Sequence, residues 1–72
     1  MTSPEEFAAA LRRERVAAGL SQSALARLAD VEPSYIAHLE AGRRLPSVTN
    51  LCAVANALGV SLDRLFMPAR AA

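Results

Sequence analysis

The stretch SQSALARLADVEPSYIAHLEAGRR, Ser21 to Arg44, holds two short helix-periodic segments separated by three residues. Ser21 is a helix-capping residue type, and QSALARLA after it places Leu25, Leu28 and Ala29 along one expected face. Asp30-Val31-Glu32 forms a tight connection. Pro33 then pre-sets the backbone for the first turn of the next helix, in which Ile36 and Leu39 face inward before Gly42 stops it. Ala26 is small enough to let the second of these helices cross close to the first. Asp30 falls at the bend, where a left-handed backbone is often needed, and aspartate tolerates that conformation better than most residues do.

Outward from this stretch the chain breaks at similar punctuation. Ser3, Pro4 and Glu6 combine a cap, a proline at the first helical position and the far member of a capping box. The first helix they start is expected to run to about Ala18 and stop at Gly19. Ser47, after Pro46, caps a fourth helix ending at Gly59, with Val48, Leu51, Cys52, Ala55 and Leu58 on its inner face. Ser61 caps a short fifth helix, closed by Pro68, that is unusually apolar for its length. Its Leu62, Leu65 and Phe66, with Met67, either finish the core of one chain or form a patch for a second copy. In the first helix Phe7, Leu11 and Arg15 recur every four residues, so Arg15 continues an apolar face. A guanidinium there needs a partner. Glu40, one position beyond Leu39, is the candidate, although spacing alone also allows two separately solvated charges.

Seventy-two residues make one small domain, 1–72, with a core from about residue 4 to 67. Alanine (16) and leucine (10) far outnumber the 8 β-branched residues, which favours helix over strand. The fold class expected is all-α, a compact five-helix bundle. Cys52 is the single cysteine, best placed as a small core residue, so neither an intrachain disulfide nor a thiolate metal cluster can form. No apolar run approaches the roughly 20 residues of a membrane span. The N-terminus carries Glu5 and Glu6 where a secretory leader would be basic. A soluble, cytoplasmic protein is the expectation.

Catalysis finds little support. His38 is the one histidine and has no serine or cysteine at a recognisable motif spacing. There is no glycine-rich phosphate loop and no metal-ligand cluster, so neither cofactor nor metal is expected. The helix of Pro33 to Glu40 is more informative. With the segment before it, it has the geometry of a helix-turn-helix over about residues 21–42. Its outward face is Ser34, Ala37, His38 and Ala41, small and polar with no ladder of opposite charges. A helix entering a DNA major groove needs low bulk and a few donors near its N-terminus, which Ser34 and His38 supply. Tyr35 can reach a phosphate, Arg43 and Arg44 follow the helix, and Ser21 and Gln22 open the preceding one beside free backbone N–H groups. Each also has a plain reading: a half-buried aromatic, a solvated histidine, arginines that answer the helix dipole. The formal net charge of only +1 does not by itself announce a nucleic-acid binder, but all eight basic residues are arginine, whose planar fork suits phosphates and base edges.

The segment GLSQSALARLADVEPSYIAHLEAGRRLPSVTNLCAVANALGVSLDRLF, preceded by LRRER, resembles the Cro/lambda-repressor-like (XRE) helix-turn-helix domain. GLSQ, Leu25-Ala26, Ser34 to Ile36, LEAGRR, Pro46 and ALGVSLDRLF carry the likeness over roughly residues 7 to 66. The resemblance implies a five-helix bundle with the third helix in the major groove. It implies that Gln22 and Arg43 meet phosphates, that Pro33, Ser34 and His38 face bases, and that Tyr35 faces the backbone. It also implies that Arg15 and Glu40 pair. Two departures stand out. Asp30 occupies a position where the family often has glycine. Pro33 has no donor, which shifts readout to Ser34, His38 or DNA shape.

The function expected is a sequence-specific DNA-binding transcriptional regulator. It would act on double-stranded DNA, as a homodimer on a near-palindromic operator, in the manner of a repressor, a restriction–modification controller or an antitoxin. The alternative is a protein-interaction module of the same fold, holding a toxin or a transcription-machinery partner.

Overall fold

The computed structural model describes residues 2–66, and Met67 and Pro68 lie outside them. Five helices follow in order: α1 (Pro4–Ala17), α2 (Gln22–Ala29), α3 (Pro33–Glu40), α4 (Val48–Leu58) and α5 (Leu62–Leu65). No strand occurs among the described residues. The starts are set by serine. The Ser3 hydroxyl accepts from the Glu6 N–H at 3.1 Å while the Glu6 carboxylate accepts from the Ser3 N–H at 2.9 Å, a complete capping box. Ser21 and Ser47 cap α2 and α4 in the same sense, accepting from Ala24 and Asn50. Ser61 precedes α5 but caps no backbone group, since its hydroxyl donates to Asp63 at 2.5 Å.

The stops are equally regular. After α1, α2, α3 and α4 a residue with positive φ turns the chain, and the next N–H bonds back to a carbonyl five residues earlier: Leu20 to Arg15, Val31 to Ala26, Arg43 to His38 and Val60 to Ala55. Three of these left-handed positions are glycine. The fourth is Asp30, at φ 59° and ψ 47°. The turn between α2 and α3 therefore has the same backbone as its glycine-ended neighbours, held by a residue with a Cβ.

α2 packs on α3 and α4, α1 packs on α3, and α5 closes the bundle against α1 and α4. The core is built from Phe7, Leu11, Leu25, Ala26, Ala29, Ile36, Leu39, Leu51, Val54, Ala55 and Leu65. Three sequence assignments need correction. Leu28 is 60% exposed, because Leu25, Ala26 and Ala29 form the buried arc of α2 and Leu28 lies off its edge at about 100° per residue. Val48 is 77% exposed, since it stands in the first turn of α4 and overhangs the core, whereas Val54 is fully buried in its place. Leu65 is also fully buried, so it is core of the single chain and not part of any surface that a second copy would cover.

A buried carboxylate ties α5 down. Glu14 lies with 9% of its side chain exposed, within 3.3 Å of Arg13 and 3.9 Å of Arg64. Arg13 in turn donates to the Arg64 carbonyl at 3.1 Å. Truncating Leu65 to alanine should therefore cost the monomer about 2–5 kcal/mol. Denaturant unfolding at two protein concentrations tests this. The loss should be the same at both, whereas a loss confined to the higher concentration would place Leu65 in an interface.

Candidate nucleic-acid interface

α3 divides cleanly. Ile36 and Leu39 have no exposed surface, and Glu40 beside them points into the junction of α1, α2 and α3. The other side of α3 presents Pro33, Ser34 and His38, all exposed. Arg43 and Arg44 continue this exposed surface just past the C-terminus. Ser21 and Gln22 stand at the start of α2, the Ser21 hydroxyl already accepting from Ala24.

The inner half of the site is a polar junction. Arg15 Nε and Nη2 contact the two Glu40 oxygens at 2.6 and 2.9 Å, and Arg15 Nη1 donates to the Leu20 carbonyl at 2.8 Å. Gln22 Nε2 donates to Glu40 at 3.0 Å. One carboxylate thus receives donors from α1 and α2 while standing on α3. Its side chain is 3% exposed and that of Arg15 12%. Burial opposes ionisation of Glu40, but the hydrogen bonds from Arg15 and Gln22 outweigh it and hold the carboxyl below the usual carboxylate range. The hydrogen bond to Glu40 likewise raises Arg15 against the opposing effect of burial. Gln22 is consequently not a free amide. One of its two N–H groups is committed inward and the other remains for a ligand.

Tyr35 is half-buried against the core, and its hydroxyl accepts from Asn50 Nδ2 of α4 at 3.0 Å. The Arg44 guanidinium lies over the Tyr35 ring, 5.1 Å from its centroid. Asn50 carries no signal of this role in the sequence. It stands in the first turn of α4 with nothing local to tie it to Tyr35, and only the crossing of α3 and α4 brings the two together. The apolar candidates Leu62 and Phe66 are exposed on and just after α5, some distance in sequence from this face.

Among the described residues, no group of three or more histidine, cysteine, aspartate or glutamate side chains could hold a metal ion. None of the helices described is long and apolar enough to cross a membrane.

Comparison with known proteins gives a consistent picture. The family model for the helix-turn-helix matches residues 11–65. The restriction-modification controller protein C.AhdI from Aeromonas hydrophila is similar at 38% identity, with 88% of this chain and 96% of that chain covered and a TM-score of 0.84. The clp gene regulator ClgR from Corynebacterium glutamicum is 36% identical over 89% of this chain and 68% of its own, with a TM-score of 0.83. A hypothetical transcription factor, NHTF, from Neisseria is 31% identical over 94% and 78%, with a TM-score of 0.85. Among curated proteins there is no match.

The polar junction yields its own expectation. Arg15→Ala and Glu40→Ala should each destabilise the fold by about 3–5 kcal/mol, because each strands the other charge. The double variant should lose much less than the sum, as a thermodynamic cycle from urea titrations will show. A carboxyl ionising more readily when folded contributes stability fully above its unfolded value of about 4.3. That contribution disappears as pH falls from there through the lower folded value. Glu40→Gln should flatten this acid limb of the stability profile.

Proposed function

The chain belongs to the helix-turn-helix family, and from that premise we propose that it is a sequence-specific DNA-binding transcriptional regulator acting as a homodimer on a near-palindromic operator. One observation carries the reading. The exposed side of α3 is narrow, small and polar, with Pro33, Ser34 and His38 at its N-terminal half and Arg43 and Arg44 just beyond its end. Such a surface fits a major groove, with few side chains to read base edges and arginines at the rim to meet phosphates.

The roles divide accordingly. Ser34 and His38 read bases, and Pro33 contributes only apolar contact. Gln22 and Ser21 meet one phosphate with the α2 N-terminus, and Arg43 another. Two α3 helices in a dimer stand about 34 Å apart, one turn of the duplex. Leu62 and Phe66 supply the apolar contact between copies, with Met67 following them in sequence. The similarity to C.AhdI, a restriction-modification controller, supports a role of this kind.

Selection of bound duplexes from random DNA, with the oligomeric state measured alongside, tests the reading. Affinity for the selected site should fall steeply with salt. Arg43→Ala should weaken all sequences alike and reduce the log–log salt slope by about one. His38→Ala should cost about 1–3 kcal/mol on the preferred site and relax preference at one position. If neither variant alters binding to any selected duplex, α3 is not the reading helix.

A further inference from the structure

We propose that Tyr35, Asn50 and Arg44 form a pre-assembled clamp for one DNA phosphate, in which Asn50 acts as a positioning residue. The inference rests on the DNA reading above. It goes beyond it by giving Asn50 a role and by making the Arg44 contact depend on Tyr35.

Three separate segments meet here: α3, the loop after it and the first turn of α4. Asn50 Nδ2 donates to the Tyr35 hydroxyl oxygen at 3.0 Å. A phenol that accepts on one side keeps its own proton to donate on another, and Tyr35 has no other partner among the described residues for that proton. The Arg44 guanidinium rests over the ring at 5.1 Å. Stacking holds the planar fork near the rim while restricting its rotamers. Part of the ordering cost of a long side chain is then met before DNA arrives.

The three residues line an open groove of about 430 Å³ together with Asp30, Val31 and Glu32. The carboxylates of Asp30 and Glu32 in that lining repel an anion. A phosphate is therefore confined to the Arg44 and Tyr35 rim, where a guanidinium and a phenol proton can both be donated to it. This assigns a register on the backbone that net charge alone would not impose.

A cycle on affinity for the duplex selected by the wild type, with salt titrations and thermal unfolding on every variant, tests the clamp. Arg44→Ala and Tyr35→Leu should each weaken binding about tenfold or more, as for loss of a charge-assisted bond. Each should also reduce the salt slope by about one. The double variant should bind as the singles do. Tyr35→Phe keeps the stack and should keep the slope while losing severalfold in affinity. Asn50→Ala should match Tyr35→Phe, and combining the two should add nothing. The Phe and Asn50 arm carries the test by itself if Tyr35→Leu fails to fold. Additive losses, unchanged slopes, or lowered thermal stability with undiminished DNA affinity would overturn the clamp. A wild type that binds its duplex with a steep slope alongside additive variants overturns the clamp alone. A wild type that selects no duplex overturns the DNA reading with it.

Discussion

The bidentate contact between Arg15 and Glu40 is the constraint from which the arrangement of this small bundle follows. A guanidinium and a carboxylate are both taken largely out of water, which is tolerable only when nearly every polar atom has a partner. Here the partners come from different elements. Arg15 stands on α1, Glu40 on α3, Gln22 at the start of α2 and the Leu20 carbonyl in the loop between α1 and α2. Satisfying one charge therefore fixes how three helices meet. Ile36 and Leu39 fall into the core on the same side as Glu40, and Pro33, Ser34 and His38 are left outside. The exposed face of α3 is a consequence of what its inner face must satisfy.

Charge is placed rather than accumulated. With a formal net charge of +1, the chain has little long-range field to draw a polyanion. What it has is local: Arg43 and Arg44 at one end of α3, one of them resting on an aromatic ring. Asp30 and Glu32 precede α3 and line the groove that Arg44 also reaches. Such a distribution leaves short-range contacts, and not a long-range field, to orient a charged partner.

The boundaries of the helices were legible because their chemistry is local. Ser3 with Glu6, Ser21 and Ser47 each satisfy an N–H within their own first turn, and Gly19, Gly42 and Gly59 sit at positive φ. Asp30 was legible for the same reason, as a residue that can take the left-handed bend. The inner faces were read less well. Periodicity names a side of a helix but not where the core ends, so it points Leu28 and Val48 inward and passes over Val54. Arg15 and Glu40 could be paired as candidates because an arginine interrupted an apolar row. Nothing comparable marks Asn50. Its contact with Tyr35 depends on the crossing of α3 and α4, which no run of residues in either helix encodes. Leu65, Leu62 and Phe66 look alike in sequence, and only the docking of α5 separates the buried one from the two exposed.

That docking bears on how α5 behaves as a surface. Four residues cannot persist as a helix in isolation. Here Leu65 is sunk in the core, Arg13 holds the Arg64 carbonyl and Glu14 lies beneath both arginines. The segment is thus a rigid edge of the bundle and not a floating tail. Leu62 and Phe66 stand on and just after a segment held to the bundle by Leu65 and Arg13, so an apolar contact there forfeits less chain entropy than one on an unheld segment. A modest apolar contact can then be short-lived or durable according to its fit alone.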